Sequence, residues 1–208
     1  MPAKKQQIVI PANATSFTKD YYGLKVIDKD GERIGSIADM AITMGEEFPK
    51  VSSIVVSVKV KLSLLGSAKF EAIVPWRMVK YCDDREMKLG VCYSELKPGK
   101  LGNDELQFKK HIMDQQIVDN EGRKLLRVND VKLKAMAGNL RLVGVEVGVK
   151  GLLYRLGAGR RLERLADRFN VKLMENIIMW DLVSQFDREM NRIKLVISQE
   201  MLKDLMNL

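Results

Sequence analysis

Residues suited to acid–base or nucleophilic chemistry are scarce in this sequence. The one histidine, His111, follows Lys109 and Lys110, and no nucleophile is paired with it. A histidine acts as a general base only beside a group whose proton it can take, so we interpret His111 as a solvated linker residue. With no acid–base or nucleophile constellation in the sequence, we expect that the protein is not an enzyme.

The two cysteines, Cys82 and Cys92, lie ten residues apart. Structural zinc sites need closely spaced pairs such as Cys-x-x-Cys, and two cysteines are too few for a disulfide framework in a chain of this size. We therefore expect two reduced thiols that are buried or half-buried.

Two acidic segments could hold a metal ion. Asp28-Lys29-Asp30-Gly31 starts like a calcium loop, but an EF-hand needs glycine at its sixth position and a later bidentate glutamate. A tight hairpin turn is the favoured interpretation. Asp83-Asp84, with Asp187 at the corresponding place further on, could hold Mg²⁺ through water, although a solvated turn is favoured there as well. No metal or cofactor is predicted, and Mg²⁺ stays open as the alternative.

Positive charge is concentrated in one segment. The net charge is +8, and residues 150–172 hold seven basic side chains against two acidic ones. Leu162, Leu165 and Phe169 have helical spacing, which predicts an amphipathic helix with arginines on its other face. This candidate partner-binding patch consists of Arg155, Arg160, Arg161, Arg164 and Arg168. The open alternative is a solvated basic helix that only aids solubility.

A repeated motif indicates how these residues are positioned. Val26–Met40 and Ile117–Val131 are identical or similar at ten of fifteen positions, at an offset of 91 residues. A second match, around Trp76 and Trp180, has an offset of 104, so thirteen residues are added between the two matches. Such self-similarity predicts a duplicated structural unit. The matching residues to which we assign structural roles are Asp28, Gly31, Asp39, Trp76, Asp119, Gly122, Asp130 and Trp180.

Each copy is rich in strand signals. Short β-branched runs with a period of two end at Asp-Lys-Asp-Gly and Asp-Asn-Glu-Gly, which are typical hairpin turns. The predicted strands lie near 24–28, 33–44, 51–60, 69–74 and 86–93, with counterparts near 116–119, 124–135, 140–149, 175–178 and 191–197. We expect short helical turns at Trp76 and Trp180, both packed in the core. The predicted fold is mainly β with minor α: two tandem small antiparallel β-barrels, the second with a helical insertion.

The motifs G-L-K-V-I-D-K-D-G-E-R-I-G-S-I-A-D-M and I-V-P-W-R-M-V resemble those of PRC-barrel domains. That barrel is shared by the photosynthetic reaction-centre H subunit and the ribosome maturation factor RimM. The second copy, with Q-I-V-D-N-E-G-R-K-L-L-R-V-N-D-V, is similar to soluble proteins in which two such modules precede a domain like the N-terminal domain of MgtE magnesium transporters. The resemblance implies no catalytic residues.

The predicted domain boundaries follow from the repeat. They are an N-terminal extension at 1–21, a first barrel at 22–97, a linker at 98–110, and a second barrel at 111–208. The second barrel includes the insertion at 150–172 and a final helix at 198–207.

Two functions compete. The resemblance favours a non-catalytic interaction or regulatory module of a cytosolic, magnesium-transporter-like protein with a protein partner. The basic segment and RimM favour RNA or ribosome binding. The chain has neither a long apolar run nor a signal-like start, so we expect a cytoplasmic protein without a transmembrane segment.

Overall fold

A computed structural model describes residues 13–62, 66–96, 99–118, 124–147, 176–187 and 192–195. The first half of the chain, residues 13–96, contains strands β1 (Thr15–Ser16), β2 (Lys25–Ile27), β3 (Arg33–Thr43), β4 (Lys50–Leu62), β5 (Gly66–Pro75), β6 (Val79–Cys82) and β7 (Glu86–Leu89). The second half, residues 99–195, contains β8 (Glu105–Gln107), β9 (Gln116–Val118), β10 (Lys124–Arg127), β11 (Asp130–Met136), β12 (Asn139–Glu146), β13 (Ile177–Met179), β14 (Val183–Asp187) and β15 (Arg192–Leu195).

Helical structure in the described residues is limited to single turns. Two are π-helical, Phe17–Tyr21 and Phe108–Ile112, and three are 3₁₀ turns, Trp76–Met78, Tyr93–Glu95 and Trp180–Leu182. Among the residues that the structure describes, no helix is long and apolar enough to cross a membrane. The protein is therefore mainly β.

Eleven strands form one curled sheet to which both halves contribute. Its longest path is β1-β11-β12-β4-β3-β2-β7-β6, with β5 added on β4, β8 on β3 and β13 on β12. The other four strands form a second sheet in the order β10-β9-β15-β14. The β2–β7 and β9–β15 pairs are parallel. Each of these parallel pairs lies between two antiparallel pairs in its sheet.

The first half and the second half exchange a short segment. We call Thr15–Tyr21 arm 1 and Glu105–Ile112 arm 2. Strand β1 of arm 1 pairs with β11, where Thr15 lies opposite Leu133. Strand β8 of arm 2 pairs with β3, where Leu106 lies opposite Ile42. Leu106 follows Thr15 by 91 residues, and Leu133 follows Ile42 by the same 91 residues. The exchange of the two arms is therefore reciprocal.

One apolar core runs through both halves. Phe17 of arm 1 and Phe108 of arm 2 are 1% and 0% exposed, and their rings meet edge to face at 5.3 Å. In β4, Ile54 and Val56 are buried as the alternation predicts, but Val55 is buried as well because both faces of this strand are covered. Each such side chain contributes roughly 1.5–3 kcal/mol through burial of apolar surface.

Most of the strand predictions are confirmed within the described residues, and so are the helical turns at Trp76 and Trp180. The tight turn at Asp28–Gly31 is also confirmed, because Gly31 has a φ of 90° and its N–H donates to the Asp28 carbonyl at 3.2 Å. Strands β1, β6, β8 and β14 were not predicted. They have two to five residues each, so a period of two is hard to recognise in them.

The interpretation of His111 as a solvated linker residue is wrong. His111 lies in the π-helical turn of arm 2, is half-buried, and accepts the Gln107 backbone N–H at Nδ1 (2.9 Å). Its neighbours Lys109 and Lys110 are exposed, which made the segment resemble a linker. Arm 1 lies at the end of the predicted extension (1–21). Arm 2 covers the end of the predicted linker (98–110) and the first two residues of the predicted second barrel. The insertion at 150–172, the final helix at 198–207, Asp119 and Gly122 lie outside the described residues.

Candidate interaction site

Asp39 and Asp130 each hold the arm that comes from the other half of the chain. Asp130 Oδ1 accepts the backbone N–H of Thr18 at 3.0 Å and its hydroxyl at 2.8 Å. Asp39 Oδ1 accepts the backbone N–H of Lys109 at 3.1 Å. Thr18 and Lys109 are separated by the same 91 residues as the two aspartates, so the two carboxyls perform the same structural role.

Burial raises the pKa of Asp39 and of Asp130 to about 6. The backbone N–H bonds oppose this rise because they favour the charged carboxylate, whereas the nearby charge of Glu146 adds to it at Asp130. Asp39 is 6% exposed and Asp130 is 1% exposed. Both carboxyls therefore change charge near neutral pH while they remain inside the protein.

A buried charged cluster surrounds Asp130 but not Asp39. Glu146 lies directly opposite Asp130 in the β11–β12 pair, and its Oε2 is 3.2 Å from Lys132 Nζ. Lys132 Nζ also donates to Ser16 Oγ of arm 1 at 2.9 Å. In the first half, Val55 lies opposite Asp39, so no carboxylate corresponds to Glu146 there.

A cleft of about 250 Å³ opens between the two arms. Its lining residues come from both arms and the turns that follow them: Phe17, Thr18, Tyr22, Lys109, Met113 and Asp114. Phe17 and Met113 form a buried apolar floor, while Tyr22 is 47% exposed at the rim. The Lys109 ammonium lies 4.3 Å from the centroid of the Tyr22 ring, within the range of a cation–π contact.

Arm 2 brings one positive charge to the cleft, because Lys109 is exposed and belongs to its lining. The nearest acidic group in the lining, Asp114, has Arg127 Nη1 3.9 Å from its Oδ1. The cleft thus combines an apolar floor, an aromatic rim and one ammonium group, a composition that is common in contact surfaces.

The Asp28 turn is anchored by its own backbone. Asp28 Oδ1 accepts the N–H groups of Asp30 and Glu32, both at 2.9 Å, and Oδ2 accepts that of Tyr93 at 3.3 Å. Cys92 approaches the same turn, with Sγ 2.9 Å from Asp30 Oδ2, so that three possible ligand atoms lie within 4.8 Å of one another. Because Asp28 already accepts three backbone donors, the arrangement serves the turn.

Asp83 likewise fixes a turn. Its Oδ1 accepts the backbone N–H groups of Glu86 (2.8 Å) and Arg85 (2.9 Å), and its Oδ2 accepts the Tyr81 hydroxyl at 2.9 Å. These bonds, led by those from Glu86 and Arg85, hold the pKa of Asp83 below its usual range. The Asp187 side chain lies outside the described residues.

The remaining predicted residues have structural positions. Trp76 and Trp180 are 5% and 4% exposed, in agreement with core packing. Cys82 is buried and Cys92 half-buried, as predicted, and burial raises the pKa of the Cys82 thiol to about 12. The five arginines of the basic patch (Arg155, Arg160, Arg161, Arg164 and Arg168) lie outside the described residues.

Sequence reasoning missed the arms, although a signal for them was present. Phe17 and Phe108 are identical at the offset of 91, as are Lys19 and Lys110, so the similarity extends upstream of the motif that first revealed it.

One protein-family model matches part of the chain. The PRC-barrel domain model matches residues 15–87, from the start of β1 into β7. No curated protein matches the chain. The matched segment contains arm 1, the Asp28 turn, Asp39 and the Trp76 turn, and its curled antiparallel strands fit such a barrel. The first half of the chain is thus similar to a PRC-barrel domain.

Proposed function

We propose that the protein is a non-catalytic interaction module built from two PRC-barrel-like halves in tandem. The observation that carries the proposal is the reciprocal docking of the arms, which leaves between them a cleft lined by exposed Tyr22 and exposed Lys109. The equivalence of Asp39 and Asp130, and of their donors Lys109 and Thr18, supports the tandem arrangement.

The shifted pKa values of three buried groups, Asp39, Asp130 and Cys82, do not support an active site. In the described part of the chain, Asp39 and Asp130 accept backbone donors, and Cys82 is buried with its thiol neutral at physiological pH. A catalytic site instead brings a nucleophile, a base and a charge-stabilising group together around an accessible space. The proposed role is therefore binding.

We further propose that the module is regulatory and belongs to a cytosolic, MgtE-associated class of protein. Support comes from the similarity of the second-half motif to that of tandem modules preceding an MgtE-like N-terminal domain. A partner protein would dock on the cleft, where Tyr22 supplies apolar contact area and Lys109 favours an acidic neighbour.

The test is a pull-down with the full chain from the native cytosol, with and without nuclease. We expect capture of a protein partner that survives nuclease treatment and is lost with the double variant Tyr22→Ala/Lys109→Ala. Phe70→Ala, which removes a similarly exposed aromatic on β5, is the matched control and should retain the partner. Retention by the double variant would contradict docking at the cleft.

RNA or ribosome binding is the second candidate, favoured by the basic residues 150–172. Changing Arg160, Arg161, Arg164 and Arg168 to Gln should then abolish the association. RNA binding should also weaken steeply between about 50 and 300 mM salt because phosphate contacts release counterions. A complex that is sensitive to nuclease and to salt would replace the protein-partner proposal, whereas a quadruple variant that keeps its partners would remove the basic segment from consideration.

A further inference from the structure

Two buried carboxyl oxygens have no hydrogen-bond partner in the described structure, and they belong to facing residues. They are Asp130 Oδ2 and Glu146 Oε1. Asp130 is 1% exposed, Glu146 is 2% exposed, and the two residues are directly opposite in the β11–β12 pair. A buried carboxylate oxygen without a donor costs several kcal/mol, so the cluster requires a compensating group.

The charges around this pair do not balance if both carboxyls are ionised. Lys132 supplies one ammonium, 3.2 Å from Glu146 Oε2, against two carboxylates. The other charged side chains on the elements packed against Asp130 are Lys19 and Asp20 on arm 1, Lys134 on β11, Arg141 on β12 and Asp181 in the Trp180 turn. Asp20 Oδ2 accepts the Ser16 N–H, and Arg141 bonds Glu46 and the Phe48 carbonyl. Among the residues that the structure describes, none of these contacts brings a second positive charge to the pair.

We infer that Asp130 and Glu146 form a proton-binding pair that couples the protonation state of the protein to the docking of arm 1. One proton replaces the missing positive charge and removes the repulsion between two facing carboxylates. When the proton leaves, it passes to solvent, and the cluster carries a net charge of −1. No other group is consumed.

The coupling to arm 1 follows from Thr18. Its N–H and hydroxyl both donate to Asp130 Oδ1, and such donors stabilise a charged carboxylate more than a neutral one. Arm 1 therefore favours loss of the proton, whereas Glu146 favours its retention.

The test is to follow the Asp and Glu carboxyl ¹³C signals of the full chain by NMR as a function of pH. We expect Asp130 of the wild-type protein to titrate well above the ordinary aspartate range. Glu146→Gln should lower its midpoint by about one pH unit or more, the scale on which neighbouring carboxyls couple. Thr18→Val should raise the midpoint, because it removes a donor to the charged form.

Asp39→Asn is the control and should leave the Asp130 midpoint unchanged, since no contact joins the two carboxyls. The wild-type titration requires no variant to fold. The inference would be overturned if the Asp130 signal showed a fully ionised carboxyl from pH 5 upward. A midpoint that Glu146→Gln does not lower would overturn the pair, and a midpoint that Thr18→Val does not raise would overturn the coupling to arm 1.

Discussion

At the scale of single residues, Asp39 and Asp130 make a buried interface sensitive to pH. Each has a folded-state pKa of about 6, against about 3.9 in an unfolded chain. The folded state therefore binds protons more tightly than the unfolded state. The stability that these groups contribute is fully present below about pH 4, is lost as the pH rises from 4 to 6, and then stays constant.

Asp39→Asn isolates one of these groups. A pKa shift of about two units corresponds to roughly 3 kcal/mol. The free energy of unfolding of the variant relative to that of the wild type should therefore rise by about this amount between pH 4 and 7. The measurement is a series of urea unfolding curves across this range. A relative stability that falls with increasing pH would mean that the Asp39 carboxyl is held in its charged form.

Thr18 allows a test of the arm contact at constant pH. Thr18→Val keeps the shape of the side chain but removes the hydroxyl that donates to Asp130. It should lower the free energy of unfolding by about 1 kcal/mol, and by more if the carboxyl is ionised. Thr18→Ser retains the hydroxyl and serves as the control in the same denaturation experiment. Equal midpoints for the valine and serine variants would show that this bond adds no net stability.

At the scale of elements, the β11–β12 hairpin contains a local conflict between sequence and backbone. Ala137 and Gly138, which form its two-residue turn, have φ angles of 49° and 74°. Such a turn favours Asn-Gly, and alanine with positive φ is strained by its Cβ.

Ala137→Asn should therefore stabilise the protein by roughly 0.5–1 kcal/mol. The change would appear as an upward shift of the thermal unfolding midpoint. Ala135→Asn, in the adjoining strand, is the control that introduces the same side chain without a positive φ, and it should not stabilise. A lower midpoint for Ala137→Asn would indicate that the turn relaxes to another type.

The strands were predictable because their signals are local. β-branched runs, period-two alternation and the Asp-Lys-Asp-Gly turn each act over a few residues, and β2, β3, β4 and β7 lie where these signals placed them. The exchange of the arms was not predictable in this way, since β1 has two residues and its partner lies on the other half of the chain. Similarly, the sequence marked Asp39 and Asp130 as important but did not reveal that each contacts the opposite half.

At the scale of the whole molecule, the arms make the connection between the halves non-essential for their association. Residues 96–104 connect the Tyr93–Glu95 turn to β8, and most of the described ones are exposed. The contacts between the halves do not depend on this peptide. They include three strand pairings, β1–β11, β3–β8 and β4–β12, together with the Phe17–Phe108 contact and the bonds to both aspartates.

A protease site introduced at Lys100–Gly102 of the full chain tests this directly. After cleavage of the folded protein, the two fragments should co-elute in gel filtration under native conditions and separate in urea. Phe17→Ala, which removes a fully buried ring between the arms, should make the cleaved complex dissociate at lower urea. Separation of the fragments in native buffer would show that the linker holds the halves together.

The exchange of the arms also determines the order in which the protein can form during synthesis. Thr15 bonds Leu133, which is 118 residues later in the chain. At about 5–20 residues per second, the ribosome needs roughly 6–24 s to make that stretch, and arm 1 has no final position during this time. The edge of β3 likewise stays unpaired until arm 2 has been synthesised. Two nascent chains that are close together on one messenger therefore expose the same free strand edges at the same time, and each edge offers the other chain's arm a place to pair.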